Sequence, residues 1–247
     1  MLQKKKNNSQ VRTTRFTSVA AKDAPFAYTE AYKALRTNLG FLTNVSGVRS
    51  VLITSAVPEE SKSTTAINLA ITLASSGKSV ILVECDLRKP VLRKYLKREL
   101  GQSGLSAYLA GLVGLEDCIA QLPDLGICVI GAGVVPPNPS ELLNSDRMGG
   151  LIETLKLNFD YILLDAPPVT VVTDAAVVGP KTDGALLVVR SKFASARTVR
   201  QAKSRLESVG VRILGGVLTR FDMRKSGWRG GYDYKNYEYG YGQKIRH

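Results

Sequence analysis

The sequence has few of the residues on which histidine, metal and disulfide chemistry depend. Its one histidine, His247, is the last residue, which argues against a histidine-based triad or metal site. The cysteines Cys85, Cys118 and Cys128 have no metal-ligand spacing, and we interpret them as reduced thiols of a cytoplasmic protein. No apolar run reaches the roughly 18 residues of a membrane helix. The lysines at positions 4–6 are not followed by the apolar segment of a signal peptide.

Acidic residues are also scarce relative to basic ones. The chain of 247 residues has 34 Lys and Arg against 21 Asp and Glu, for a net charge of +13. The excess is partly at the ends, because residues 1–24 contain six basic residues and one acid, and the last 28 contain seven and three. Such a balance favours an anionic partner, such as nucleic acid, an anionic membrane surface or a phosphorylated ligand. We expect residues 1–24 to be a flexible basic arm.

Between the ends, apolar β-branched segments alternate with helical patterns. The predicted strands are 48–54, 79–84, 127–131, 160–165, 184–190 and 213–218. The predicted helices are 28–42, 62–76, 139–157, 173–180 and 195–209. The first of these helices has apolar residues at helical spacing, namely Tyr28, Ala31, Leu35, Leu39 and Leu42. This alternation predicts an α/β domain over residues 25–222, with a mainly parallel sheet and helices on both faces. Residues 223–247 have no apolar periodicity, and we expect a disordered tail.

The first predicted strand leads into a segment typical of a phosphate-binding loop. Residues 55–65 read SAVPEESKSTT and precede a predicted helix, which is the strand, loop, Lys-Ser/Thr and helix order of a P-loop. The N-terminus of that helix would offer N–H groups to phosphate. Lys62 would reach the β- and γ-phosphates, Ser63 would hold Mg²⁺, and Thr64 would touch the α-phosphate. The usual glycines are missing, since Ala56 and Ser61 take their places.

Carboxylates follow two other predicted strands. Glu84 and Asp86 end the segment ILVECDLR, and Asp165 ends YILLD. Since open parallel sheets bind ligands outside the carboxyl ends of their strands, we expect these acids to converge on the phosphate loop. The combination predicts a site for ATP and Mg²⁺.

With these motifs in place, the chain resembles the bacterial tyrosine kinases of capsule and exopolysaccharide synthesis. The phosphate loop of that family, S-x-x-P-G-E-G-K-S-T, is matched at Ser55, Pro58, Glu60 and residues 62–64. Its D-x-D-x-R-[RK]-P motif is similar to ECDLRKP at 84–90, and its D-x-P-P motif is similar to DAPP at 165–168. The segments EAYKALRTNL at 30–39 and PPNPSELL at 136–143 and the C-terminal tyrosines also resemble the family. The fold implied is that of a P-loop NTPase.

The resemblance implies roles for individual residues. Lys62, Glu84 and Asp86 would be catalytic, with Glu84 standing where the family has an aspartate proposed to accept the tyrosine proton. Ser63, Asp86 and Asp165 would hold Mg²⁺. The nucleotide would be bound by Pro58, Glu59, Glu60, Ser61, Lys62, Ser63, Thr64, Arg88 and Thr219. Glu59 and Ser61 replace loop glycines, and if position 61 requires a positive φ, serine there costs on the order of 1 kcal/mol.

The resemblance also implies partners. Residues 28–43 would be an oligomerisation helix. Its Glu30, Lys33 and Arg36 match a pattern, E-x-x-R-x-x-R, that builds a ring of subunits in the family, with Lys33 replacing an arginine. The expected phosphate acceptors are Tyr232, Tyr234, Tyr237, Tyr239 and Tyr241, phosphorylated in trans by a neighbour in the ring. A separate membrane-spanning activator of the polysaccharide chain-length type would bring the kinase to the inner face of the cell membrane.

Three other functions remain open from the residues. A partition or positioning ATPase shares the P-loop, but it carries a second lysine early in the loop, where this chain has Val57. A scaffold that no longer turns over ATP would explain the altered loop. A nucleic-acid-binding module is supported only by the charge and the aromatic tail, and no nucleic-acid partner is expected.

Overall fold

The computed structural model describes residues 18–21, 23–101 and 103–221. Within these ranges the strands are β1 (Ser50–Ser55), β2 (Val80–Glu84), β3 (Ala120–Leu122), β4 (Ile127–Ile130), β5 (Tyr161–Asp165), β6 (Gly184–Arg190) and β7 (Ile213–Thr219). The α-helices are α1 (Phe26–Ser46), α2 (Lys62–Ala74), α3 (Leu92–Leu96), α4 (Leu105–Leu109), α5 (Pro139–Asn144), α6 (Asp146–Asn158), α7 (Asp174–Val178) and α8 (Ala196–Glu207).

The described strands form one sheet in the order β3-β4-β2-β5-β1-β6-β7. Every neighbouring pair is parallel except β3 and β4, which are antiparallel. The strand β1 therefore lies in the middle, with β5 and β2 on one side and β6 and β7 on the other. This order brings the carboxyl ends of β1, β2 and β5 next to one another, which is where the sequence predicts the phosphate site.

Both faces of the sheet are covered by helices. In β2, Val80 and Leu82 pack in one apolar cluster with residues of α1 and α2, such as Leu39 and Ile67. Their neighbours Ile81 and Val83 belong to a second cluster that includes residues of α6 and α8. Because alternate side chains of a strand point to opposite faces, an apolar strand of this kind must be covered on both. The predicted mainly parallel sheet with helices on both faces is confirmed.

Several elements differ from the sequence prediction. The predicted helix 139–157 is two helices, because Ser145 is extended, with φ −61° and ψ 156°, and its hydroxyl donates to the carbonyl of Leu142. The elements β3, α3 and α4 were not predicted, since three to five residues are too few for a clear periodicity. In α1, Tyr32 is buried whereas Ala31 is exposed, so the inward face is rotated from the predicted one.

The end of the predicted basic arm contacts the domain. The backbone N–H of Val19 donates to Oδ1 of Asn68 over 2.9 Å, and the Val19 side chain packs against the cluster that includes Leu39. Val19 therefore packs on the domain although it precedes the boundary predicted at residue 24, and that boundary stays a prediction. Residues 1–17 and the tail 222–247, with its five tyrosines, lie outside the described residues.

Candidate nucleotide and phosphoryl-transfer site

The loop between β1 and α2 has the geometry of a phosphate-binding loop. Two of its residues adopt the left-handed conformation that favours glycine, Glu59 with φ 65° and Ser61 with φ 71°. Ser61 immediately precedes α2, whose first residue is Lys62. The condition for strain at position 61 is met, and Glu59 adds a second such position. Glycine would adopt both conformations without the clash that a Cβ atom introduces.

The Glu60 side chain anchors this loop by accepting hydrogen bonds from backbone N–H groups. Its Oε2 accepts the backbone N–H groups of Ala56 and Val57 over 2.8 and 3.0 Å, and its Oε1 accepts the N–H of Arg190 at the end of β6 over 3.2 Å. The side chain is buried and does not border the cavity described below. The carboxylate of Glu60 therefore holds the loop to the sheet, and the contact of Glu60 with nucleotide stays a prediction.

Lys62 lies among the predicted acids. Its Nζ is 3.2 Å from Oδ2 of Asp86 and 3.3 Å from Oδ1 of Asp165, and it donates to Oγ of Ser63 over 3.3 Å. Burial lowers the pKa of Lys62, but the charges of Asp165 and Asp86 outweigh it and raise the pKa above its usual value. The structure thus brings together the lysine, the hydroxyl and two carboxylates that the sequence predicted, and Lys62 stays cationic.

Asp165 is placed to hold a cation. Its side chain is fully buried at the end of β5, and burial raises its pKa, with the charge of Lys62 opposing the rise only in part. Its Oδ2 has no hydrogen-bond partner in the described part of the chain. An unsatisfied buried oxygen beside a second carboxylate and a hydroxyl fits Mg²⁺, which prefers oxygen ligands and is often held by one or two carboxylates together with substrate phosphates.

A cavity of about 280 Å³ opens in front of these groups. One side is formed by the phosphate loop and the start of α2, including Pro58, Glu59 and Ser61, and by Asp86. Its apolar lining after β5 consists of Pro167, Pro168, Val171 and Val172, called the apolar side below, and Val91 and Tyr95 from the segment after β2 also border it. Of the predicted nucleotide-binding residues, Lys62, Ser63, Thr64 and Arg88 also border it.

Glu84 does not lie in this cavity. Its side chain is buried, and its Oε1 accepts the N–H groups of Val91 and Leu92 while its Oε2 accepts that of Ala132. Burial raises its pKa, and these three backbone hydrogen bonds lower it in part. The expected role as acceptor of the tyrosine proton does not fit this geometry, because both oxygens are bound to backbone. Glu84 instead fixes the start of α3 and the segment after β4.

Arg88 is held by partners that sequence reasoning missed. Its guanidinium binds the buried carboxylate of Asp174 through Nε and Nη2, over 2.8 and 3.1 Å, and Nη2 also reaches Oγ of Ser140 over 2.8 Å. Ser140 in turn donates to Asp174 over 2.6 Å. The segment 136–143, noted only as a family resemblance, was the signal that could have found Ser140. Asp174 had none beyond its place in a predicted helix.

The other predicted residues do not border the cavity. The Thr219 hydroxyl donates to the carbonyl of Glu60 over 3.0 Å, so Thr219 joins β7 to the phosphate loop and its contact with adenine stays a prediction. On α1, Lys33 forms an ion pair with Glu30 at 2.7 Å. Arg36 donates to the carbonyl of Thr72 in α2 over 3.1 Å. The described contacts of these three residues are internal, and their part in a ring stays a prediction.

The comparisons with known proteins agree with this site. Residues 51–231 match the model of the CobQ/CobB/MinD/ParA nucleotide binding domain, so the chain belongs to that family of nucleotide-binding proteins. It is 34% identical to the tyrosine-protein kinase YwqD of Bacillus subtilis, over 84% of this chain and 87% of that one. Within the family the chain therefore belongs to the bacterial tyrosine-protein kinases, and the predicted resemblance is confirmed.

Solved structures give the same assignment. The kinase domain of the Escherichia coli tyrosine kinase Etk superposes with a TM-score of 0.81 and 35% identity, covering 92% of this chain and 89% of that one. The whole Etk protein is longer, because the match spans only 30% of it. The septum site-determining protein MinD of Pyrococcus horikoshii, in complex with Mg-ADP, is more distant, with a TM-score of 0.60 and 26% identity over 69% of each chain.

Proposed function

We propose that the chain transfers the γ-phosphoryl group of ATP to the tyrosine cluster of a neighbouring copy, and that this controls capsular or exopolysaccharide synthesis and export. The observation that carries the proposal is the convergence of Lys62, Ser63, Asp86 and Asp165 at the N-terminus of α2, beside a cavity with one apolar side. Phosphoryl transfer needs positioned positive charge more than covalent chemistry, and these residues supply it.

The described residues divide the work. The N–H groups at the start of α2 and the Lys62 ammonium bind the phosphates. Ser63, Asp86 and Asp165 would hold Mg²⁺, which when bound neutralises charge on the β- and γ-phosphates. Of the two strand-end acids expected to be catalytic, Asp86 borders the cavity and Glu84 does not, so Asp86 orients the tyrosine hydroxyl and takes its proton. Tyrosine has an ordinary pKa near 10, so this transfer occurs late, as the bond to phosphorus forms.

Ring assembly supplies the neighbour whose tyrosines are modified. We infer a homo-oligomer built through α1, with Glu30, Lys33 and Arg36 at its interface. Each phosphate adds about −1.5 to −2 charges, so modification of Tyr232, Tyr234, Tyr237, Tyr239 and Tyr241 adds roughly −8 to −10. The last 28 residues carry seven basic and three acidic residues, a net of +4. Full modification turns them anionic, and crowded tails then repel one another.

A separate membrane-spanning activator of the polysaccharide chain-length type would bind this kinase at the inner face of the membrane and promote nucleotide binding. In the described part of the chain no helix is both long and apolar enough to cross a bilayer, and in Etk the matching domain is joined to a longer chain. The support for this partner is the resemblance to the kinases of capsule and exopolysaccharide synthesis.

The test is mass-spectrometric mapping of phosphotyrosine after incubation with Mg-ATP, with and without the activator's cytoplasmic segment. We expect phosphate on Tyr232–Tyr241 in the wild type and in Lys78→Met, a matched exposed lysine, but not in Lys62→Met. Melting curves verify that each variant is folded, because Lys62→Met leaves Asp165 without its cation.

Mixing distinguishes transfer in trans. Lys62→Met protein with an intact tail is incubated with active protein whose five tail tyrosines are Phe. Phosphate on the Lys62→Met copy supports the proposal. Folded, unphosphorylated wild-type protein that acquires no phosphate in any condition would overturn it in favour of a positioning ATPase or a scaffold.

A further inference from the structure

The apolar side of the cavity is not explained by the triphosphate of ATP and by Mg²⁺. Pro167, Pro168, Val171 and Val172 border the same cavity as Lys62, Ser63 and Asp86, whereas phosphate and Mg²⁺ are strongly hydrophilic. The apolar part of ATP is adenine, and its predicted contact, Thr219, lies at the end of β7 and does not border this cavity. Val171 leaves 58% of its surface exposed, which is a large fraction for a valine beside a charged site. An apolar surface at this position fits a second ligand with an apolar body.

The order of strands in the sheet indicates the flank of β1 from which that second ligand enters the cavity. The cavity is bordered by the phosphate loop, by residues after β2 and by residues after β5, whereas Arg190 and Thr219, at the ends of β6 and β7, do not border it. The apolar side therefore lies on the flank of β1 where Asp86 and Asp165 end their strands. In an in-line transfer the acceptor approaches phosphorus opposite the leaving oxygen, and a phenol approaching from this flank would meet the apolar side.

The apolar side is also held firmly in place. The N–H groups of Val171 and Val172 donate to the carbonyl of Pro168 over 3.1 and 3.3 Å. The Thr170 hydroxyl donates to the carbonyl of Ala56 in the phosphate loop. From α8, Arg205 donates to the carbonyl of Thr170 over 2.9 Å. A surface fixed to the phosphate loop in this way keeps a constant position relative to the γ-phosphate, as acceptor positioning requires.

We propose that Pro168, Val171 and Val172 form the seat for the acceptor tyrosine ring, and that Lys89 at its edge selects tyrosines next to a carboxylate. The proposal rests on the proposed kinase function and adds its substrate preference. The phenol oxygen forms a bond to the γ-phosphorus, the bond from that phosphorus to the β,γ-bridging oxygen breaks, the electron pair leaves with ADP, and the phenol proton goes to Asp86.

Lys89 would select a tyrosine because its ammonium attracts a carboxylate next to that tyrosine in the substrate. Its exposed side chain borders the cavity, and its backbone N–H is fixed by Oδ1 of Asp86 over 3.1 Å. Of the basic residues that border the cavity, Arg88 is bound to Asp174 and Lys62 to Asp86 and Asp165, which leaves the exposed ammonium of Lys89 to attract a carboxylate of the substrate.

The tail offers both kinds of acceptor. Tyr232 and Tyr234 flank Asp233, and Tyr237 and Tyr239 flank Glu238. Tyr241 lies between two glycines. Tyr241 is therefore the slowest acceptor of the five.

The experiment uses full-length kinase whose five tail tyrosines are Phe, with peptides of residues 231–242 that keep one tyrosine each. For Val171→Asn we expect the peptide KM to rise about tenfold, the scale of losing one apolar contact in a specificity pocket, while the Kd for ATP stays the same. The matched control is Val209→Asn, a valine exposed to 43% after α8, with no change in either constant. The Tyr237 peptide is expected to have a higher kcat/KM than the Tyr241 peptide, and Lys89→Gln to remove the difference.

The outcomes separate the two proposals. An unchanged peptide KM in Val171→Asn, or equal use of the two peptides by the wild type, overturns the seat and its selectivity while leaving the kinase assignment intact. Loss of ATP binding together with the rise in KM would mean that Val171 acts on the nucleotide, and this too overturns the seat. Absence of phosphotyrosine with every peptide would overturn both the function and the seat.

Discussion

Two residues of the phosphate loop hold a conformation that glycine adopts more easily. Glu59 and Ser61 have φ values of 65° and 71°, and an L-residue pays about 1–2 kcal/mol for the left-handed region. Glycine removes that cost but adds about 0.4–1 kcal/mol of unfolded-chain entropy. The net gain in the free energy of unfolding is about 0.5–1 kcal/mol per position. For a domain of this size the double variant Glu59→Gly/Ser61→Gly should melt about 2–8 °C higher.

Measuring ATP affinity as well as Tm separates the effect of backbone strain at Glu59 from the effect of its charge. Glu59 is exposed beside the cavity, and its negative charge repels a triphosphate. Glu59→Gln removes the charge but keeps the strain, so it should tighten ATP about two- to fivefold at low salt without raising Tm. Added salt should shrink the gain, because exposed charges are screened. Isothermal titration calorimetry and thermal melting measure the two effects independently.

A third positive-φ residue is the control. Lys97, with φ 53°, follows α3 and lies outside the phosphate loop. We expect Lys97→Gly to raise Tm by about as much as a single glycine substitution in the phosphate loop, with no change in ATP affinity. The reasoning is refuted if Lys97→Gly stabilises the protein while Glu59→Gly and Ser61→Gly lower Tm, because the loop would then depend on its side chains.

Two further predictions concern buried carboxylates. Glu84→Gln leaves an amide facing three backbone N–H groups, so we expect a Tm several degrees lower while folded protein still phosphorylates tyrosine; complete loss of transfer in folded protein would restore Glu84 as the proton acceptor. Asp183 accepts the N–H groups of Arg49 and Ser50, both over 2.8 Å, and pairs with Lys156 at 2.9 Å. Burial raises the pKa of Asp183, but these bonds lower it below its usual value overall. The stability it contributes is therefore present above the ordinary aspartate pKa and is lost as pH falls through the lowered one. We expect Asp183→Asn to cost about 2–3 kcal/mol at pH 7 and progressively less in acid, as measured by urea unfolding; a cost that does not vary with pH would contradict this.

Long apolar segments made the fold predictable from sequence. All six predicted strands are present in the structure. They could be predicted because each is long enough to show an unbroken β-branched pattern. The strand β3 could not be predicted, since Ala120–Leu122 is too short to show one. The break at Ser145 was also hidden, because the apolar residues on either side continue with helical spacing.

The candidate site was predictable where chemistry alone dictates the residue. Lys62, Ser63, Asp86 and Asp165 come together as expected, because parallel strands end at a common edge. Glu84 was predicted as the proton acceptor because its strand-end position is the same as that of a catalytic acid, but its oxygens accept backbone N–H groups. Only the turn into α3, which sequence reasoning missed, reveals that its oxygens are taken by backbone. The pairing of Arg88 with Asp174 joins residues 86 positions apart, and no local pattern reports such a contact.

The side chain of Glu60 links backbone groups that are distant from one another in the sequence. The amides of Ala56, Val57 and Arg190 share its carboxylate, and Thr219 hydrogen-bonds its carbonyl. None of these groups can open to solvent without releasing a partner of the others. We therefore expect the phosphate loop and the ends of β6 and β7 to exchange their amide hydrogens as one cooperative unit, and a bound nucleotide to slow exchange at the ends of β6 and β7 as well as in the loop.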